Sequence, residues 1–267
     1  MPTKENDIWP TKEIENWDDF ETAISKKLYR DWLFRAHSEL NYNLESSLYR
    51  LFDDTQAILP RNRKFAKDSH EEELIRVFKS HAHLYLNNLP EKTSKLEWLA
   101  LMQHYGAPTR LLDMTFSPYV AAFFALETGQ NECCIYAIKH KHFTNIDADH
   151  FKNIDYKKSI FEDQRAEKSF IIPYEPEMKN ERIVAQQGAF LVSSTNYETY
   201  DKIISNYNFS QSQGVKYIFK KSIRYEGLKK LRLMNITSAT LFPGIDGFCR
   251  SLRFQVLDAI GRIKRIN

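Results

Sequence analysis

One short segment dictates the layering of this chain. Tyr119-Val120-Ala121-Ala122-Phe123-Phe124-Ala125 is apolar nearly all round a helix, so it is stable only with other elements packed on every side. Ser117 and Pro118 in front of it supply an N-cap and a first helical residue. Beyond it, Cys133 to Ile138 reads as a buried strand. Upstream, Leu96 to Tyr105 reads as a helix that places Leu96, Trp98, Leu99, Met102 and His104 around it; Gly106 stops it, with Pro108 just beyond. The link from Gln103 to Ser117 mixes an imidazole, a guanidinium, a carboxylate and hydroxyls with residues a core would claim. Polar groups in a half-buried segment must pair or act, and the site is expected here.

The rest of the chain fits an α+β domain. Trp17, Phe20, Ile24 and Leu28 recur at helical spacing behind Asp18 and Asp19, which favour the helix dipole. Trp32-Leu33-Phe34-Arg35 reads as a short buried strand with Arg35 at its end. From Glu71 to Leu89, Leu74, Val77, Phe78, His81 and Tyr85 fall on one helical face, with Glu71, Glu72 and Glu73 in the first turn. Arg182-Ile183-Val184-Ala185 and Ala189-Phe190-Leu191-Val192 are strand candidates around Gln186-Gln187-Gly188, and Val215 to Ile223 is another. A helix in Gly227 to Met234, a turn at Phe242-Pro243-Gly244 and a helix from about Ile245 to Leu252 close the chain. The expectation is a single compact domain, a split mixed and antiparallel sheet flanked by helices, over residues 29–267 behind a lead-in with a short helix, 1–28.

Composition narrows the function classes. With 42% hydrophobic residues, the 267-residue chain can bury one large core or two modest ones, and 38 basic against 35 acidic residues is too balanced to imply a nucleic-acid or membrane partner through overall field. The local basic cluster Arg61, Arg63 and Lys64 reads as a solvated loop and, as a weaker alternative, as a nucleic-acid contact. Cys133 and Cys134 are adjacent and Cys249 is remote, a pattern of neither a zinc knuckle nor a secreted disulfide framework. No apolar run approaches the roughly 18 residues of a membrane span, so a cytoplasmic chain without membrane or metal is expected. The chain has no Gly-x-Ser-x-Gly elbow, and His81 with His83 lack the spacing of a helical metal pair.

Three stretches resemble the FRG domain family, named for an aromatic-Arg-Gly motif near its start. Phe34-Arg35-Ala36 stands at that motif, Gln103-His104-Tyr105-Gly106-Ala107-Pro108-Thr109-Arg110-Leu111-Leu112-Asp113-Met114-Thr115 looks like the central signature, and Phe242-Pro243-Gly244-Ile245-Asp246-Gly247 looks like the closing motif. Their order and spacing cover roughly Asp31 to Leu252. Ala36 replaces the family glycine, which argues against a positive φ there, and Met114 replaces the usual tryptophan, which removes a flat ring from that place. The family is met in bacterial proteins, some of them associated with phage defence, and its name fixes no reaction.

The polar residues each carry two readings. Arg35 is either an ion-pair partner for Asp113 or a clamp on a phosphate, which a guanidinium fork suits. Arg110 and Asp113 form either a buried pair that locks the loop or part of a site. His104 either binds the exposed carbonyls of its helix end or titrates near neutral pH. The order of a strand arginine, then Thr115 to Ser117 leading into an alanine-containing helix, then a strand, is similar to the ADP-ribosyltransferase plan. That likeness implies an arginine contacting NAD, Thr115 and Ser117 holding the nicotinamide-side ribose or amide, and a late glutamate facing the reacting sugar. Glu181 or Gln187 would stand there; a carboxylate stabilises an oxocarbenium-like centre, whereas an amide only hydrogen-bonds. Without the likeness, Glu181 is a surface charge, Gln187 a turn brace, and Ser117 only an N-cap. The resulting expectation is a nucleotide-binding domain with NAD as substrate, cleaving it or transferring ADP-ribose to a protein or nucleic-acid target. The alternative is a non-catalytic module that recognises a ligand or partner.

Overall fold

A computed structural model describes residues 8–27, 29–58, 67–129, 131–150, 160–161, 169–207 and 210–263; Arg61, Arg63 and Lys64 lie outside them. Strand β1 (Thr11–Ile14) leads into helix α1 (Trp17–Ile24), which Asn16 caps by accepting a hydrogen bond from the Asp19 amide. Strand β2 (Leu33–His37) and helices α2 (Ser47–Ile58), α3 (Lys67–Ala82) and α4 (Lys95–His104) follow. Strand β3 (Leu111–Thr115), helix α5 (Pro118–Thr128) and strand β4 (Cys133–Ile138) form the central segment. Then come α6 (His140–His150), β5 (Ile171–Tyr174), α7 (Glu181–Ala185), β6 (Gly188–Ser193), α8 (Tyr200–Ser205) and β7 (Gly214–Phe219). Helices α9 (Ile223–Leu233), α10 (Ser238–Leu241) and α11 (Ile245–Ile263) complete the described chain. Among the described residues no helix is long and apolar enough to cross a membrane.

The seven strands form one mixed sheet in the order β1-β7-β4-β2-β3-β6-β5, with β1 parallel to β7 and every other neighbour antiparallel. The edge strand β1 and helix α1 come from the segment read as a lead-in; Trp17 and Phe20 are fully buried in the main core. β2 pairs with β4 along its length, and β3 does the same with β6, but β2 and β3 meet only at Phe34 opposite Thr115. The expected split is this junction.

Side-chain alternation shows what covers each half. Phe34, Ile135, Ala137 and Val215 pack with Val120, Ala121, Ala122 and Ala125 of α5, so that helix roofs the β1-β7-β4-β2 half. Leu111, Phe190 and Val192 pack with Leu96, Leu99 and Met102 of α4, which roofs the β3-β6-β5 half. The alternate residues Leu33, Tyr136, Leu112, Met114 and Leu191 pack on the opposite face with Phe143 of α6 and Ile203 of α8. α5 and α4 therefore flank the split on one face and leave a groove over it.

Several local expectations are corrected. Arg182-Ile183-Val184-Ala185 is a single helical turn with no buried residue; Asn180 caps it by accepting from the Ile183 amide at 2.8 Å, which a strand could not use. Arg35 lies in the middle of β2. The buried face of α3 is Glu71, Ile75 and Ala82, with Val77 43% and Tyr85 80% exposed. Apolar periodicity misplaced that face because a carboxylate, Glu71, points inward to a partner. Ser117 does cap α5, accepting from the Val120 amide at 3.2 Å. Gly106 does stop α4, with φ 82°, in the left-handed region that glycine enters without steric cost.

Candidate functional site

The groove over the split is a cavity of about 300 Å³. Its polar lining is Arg35 from β2, Gln103 and His104 from the end of α4, Asp113 and Thr115 from β3, and Arg182 and Gln186 from α7 and its end; Phe34, Phe124 and Phe190 supply aromatic surface.

Arg35 is placed by the weak junction itself. Its Nη1 donates to the Asp113 carbonyl oxygen at 2.7 Å, doing at the split what a strand amide does elsewhere. Its Nε donates to His37 Nε2 at 3.2 Å, and His37 Nδ1 lies 3.1 Å from the Tyr42 carbonyl. One tautomer satisfies both contacts: Nδ1–H donates to Tyr42 and the bare Nε2 accepts from Arg35. Burial, then the Arg35 charge, push the His37 pKa down to about 3, so the ring is neutral. Burial also lowers the Arg35 pKa, offset by the negative charge of Asp113, but a guanidinium stays protonated. The cation is held half-buried, oriented from behind by a neutral ring.

The signature loop is wired around Asp113. Gln103 Nε2 donates to Asp113 Oδ2 at 2.8 Å, Thr109 Oγ1 donates to Gln103 Oε1 at 2.6 Å, and the Leu111 amide donates to Thr109 Oγ1 at 3.1 Å. Asp113 Oδ1 makes no hydrogen bond among the described residues, and the carboxylate is exposed at the groove. His104 is half-buried with its ring 4.8 Å from that of Tyr105; burial and then the nearby Arg182 charge lower its pKa, which favours a neutral imidazole. The carbonyls at the end of α4 are taken by backbone amides, Tyr105 to Leu101 at 3.3 Å and Ala107 to Met102 at 2.9 Å, so His104 is not needed as a cap.

Arg110 does something else. Its Nε donates to Glu71 Oε1 at 2.8 Å, its Nη2 also meets Glu71, and its Nη1 donates to the Ser193 carbonyl at 3.1 Å. Asn196 Nδ2 adds a hydrogen bond to the same carboxylate at 3.1 Å. Both partners are buried, and the pair ties α3 to the start of β3 and the end of β6. The buried partner of Arg110 is Glu71; Asp113 takes Gln103 and, through its carbonyl, Arg35.

The remaining expected site residues are disposed as follows. Thr115 Oγ1 donates to the Gln186 carbonyl at 2.7 Å and accepts from the Ser117 amide at 3.0 Å, so its hydroxyl stitches β3 to the end of α7. Ser117 is buried under α5 and is not part of the groove lining. Glu181 is exposed at the first turn of α7, and Gln187 is exposed with φ 48°, a left-handed turn into β6 whose carbonyl accepts from the Phe116 amide at 3.0 Å. Neither contributes to the lining. The structure thus gathers Arg35, His104, Asp113 and Thr115 in one groove and leaves Arg110, Ser117, Glu181 and Gln187 outside it.

Arg182, which lines the groove, and His37, which supports Arg35 from outside the lining, had no clear sequence signal. Arg182 enters the groove because its segment is helical, and its guanidinium stands 5.0 Å from the Phe242 ring. His37 is hidden in a strand two residues from Arg35, where period-2 alternation puts both on one face; that spacing is the signal that could have found it.

No curated protein and no solved structure matches this chain. The family model of the FRG domain matches residues 30–133, a span that holds β2 through α5 and, with them, Arg35, Gln103, His104, Asp113 and Thr115, while Arg182 and Gln186 lie beyond it. The groove is therefore built largely from the matched span, and the chain carries an FRG domain.

Proposed function

We propose that the groove over the split binds an anionic nucleotide, and that NAD is the ligand to test first. The observation that carries this reading is that two arginines, Arg35 and Arg182, both line one groove together with Phe34, Phe124 and Phe190. Guanidinium forks match phosphate oxygens, and the half-buried ring of Phe124, with the buried Phe34 and Phe190 behind the wall, suits a flat base or pyridine ring. Asp113 is the only carboxylate among the lining residues. In a cleavage of the nicotinamide–ribose bond it would stabilise the positive charge that develops at the anomeric carbon while water attacks there, and nicotinamide would leave with the bonding electron pair. His104, favoured as the neutral base, would orient or deprotonate that water.

A second reading, a nucleotide-recognition module without turnover, draws on a separate observation. Gln103 already holds one oxygen of Asp113, and neither Glu181 nor Gln187 lines the groove. Incubation of the purified protein with NAD, followed by chromatography for free nicotinamide and by titration calorimetry, separates the readings. Binding with release supports turnover, binding without release supports the module, and a folded protein that neither binds nor releases sinks the nucleotide proposal.

A further inference from the structure

A second and larger cavity, about 700 Å³, lies between α5, α9, α10 and α11. Four arginines line it, Arg224, Arg232, Arg250 and Arg253, against one carboxylate, Glu127. Glu127 is already engaged: Ser238 Oγ donates to its Oε1, and Arg250 Nη2 lies 3.4 Å from its Oε2. Arg224 is oriented by the end of α5, donating to the Leu126 and Glu127 carbonyls at 2.8 Å each. Arg232 stands 5.2 Å from the Phe254 ring, and among the described residues neither Arg232 nor Arg253 has a hydrogen bond to a carboxylate or carbonyl. Four cations about one occupied anion, in a concavity with Phe123 and Leu228 in its wall, repel one another unless something negative enters.

The distribution of charge along the chain points the same way. Residues 220–267 hold eleven Lys and Arg against three Asp and Glu, whereas the other 219 residues hold 27 against 32. The near-neutral total conceals a basic segment of 48 residues, under a fifth of the chain, and Arg224, Arg232, Arg250 and Arg253 of that segment line the cavity. We propose that this cavity is a second binding site, for a small organic phosphate with an aromatic or apolar body: the arginines take the phosphates, and the Phe254 and Phe123 surface takes the body. A concave site of this volume accepts a mononucleotide-sized ligand, whereas a nucleic-acid strand needs an open track of charge. The site adjoins the groove across one ring: Phe242 carries Arg250 at 4.1 Å from the cavity side and Arg182 at 5.0 Å from the groove side. This inference does not depend on NAD binding in the groove.

The test is calorimetric titration with ATP as the probe, run on the native chain, on the double variant R232S/R253S and on R35K, with oligothymidylate as a second titrant. Both serine substitutions replace side chains without a carboxylate partner, so the fold, checked by circular dichroism, is retained. The expected pattern is ATP binding by the native chain and by R35K, and affinity lower by about tenfold or more in R232S/R253S. ATP binding unchanged in both stoichiometry and affinity in the double variant overturns the proposal and, where R35K abolishes it, assigns the ATP to the groove; no ATP binding at all overturns it equally. Oligothymidylate binding that depends on Arg232 and Arg253 while ATP does not bind assigns the phosphate to a nucleic-acid backbone and equally overturns the small-ligand site.

Discussion

Arg110 and Arg35 are set to opposite uses by their surroundings. Arg110 has a carboxylate facing its fork, a carbonyl on its remaining nitrogen, and a partner, Glu71, that Asn196 also satisfies. Nothing of that guanidinium is left for a ligand. Arg35 has a carbonyl on one nitrogen and a neutral imidazole on another, and it borders a groove. The difference comes from position in the sheet: Arg110 stands at the start of β3, where Leu111 pairs with Val192 of β6, while Arg35 stands in β2 next to Phe34, the one residue of β2 that pairs with β3. A satisfied cation stabilises, and one left partly unsatisfied beside a cavity is available to bind.

The largest expected effect tests the structural half of this contrast. Arg110→Ala leaves Glu71 buried without its cation and is expected to lower stability by about 3–5 kcal/mol in denaturant unfolding. The double replacement Arg110→Met with Glu71→Leu, which removes both charges, is expected to recover most of that loss. If the single change costs under about 1 kcal/mol, the pair is not the clamp described.

Acid comes next and probes the support behind Arg35. The folded-state pKa of His37, about 3, lies below the ordinary 6.5, so the unfolded chain binds its proton first as pH falls. Its contribution is fully present above about pH 6.5 and drains toward pH 3, on the order of 3 kcal/mol by pH 4. The measurement is the difference in unfolding free energy between the native chain and His37→Gln across that range. A difference that is flat with pH would show that His37 is not held neutral by its burial and Arg35.

Ser117→Ala is expected to cost about 1 kcal/mol of stability through the lost cap on α5, with ligand binding unchanged, because Ser117 lies outside the groove. A loss of binding at constant stability would instead return Ser117 to the site. The smallest stability effect is expected for Arg35→Lys, within about 1 kcal/mol, because the ammonium can still reach a carbonyl.

How far the sequence could see this division follows from what each residue's role depends on. Elements set by local chemistry were legible: Ser117-Pro118 ahead of an all-apolar helix, Gly106 as a stop, and Cys133 to Ile138 as a strand are each decided within a few residues. The partner of Arg110 was not legible, because Glu71 lies 39 positions away and its neighbours Glu72 and Glu73 made the trio look like a solvated helix start. Nor was the helical turn at Glu181, since Arg182-Ile183-Val184-Ala185 has β-favouring residues and only the Asn180 cap and the Gln187 turn decide it. The two arginines that line the groove lie 147 positions apart along the chain, and only the fold brings both to one cavity.

The contrast between the two arginines is tested most directly by titrating NAD into the native chain and into Arg35→Lys, with thermal unfolding of both followed in parallel. The expected result is equal stability and an affinity lower by about tenfold in the variant, since a lysine cannot reproduce a bidentate guanidinium contact to phosphate. Equal affinity in the two proteins, with the fold intact, would contradict the assignment of the groove at the β2–β3 junction as the nucleotide site.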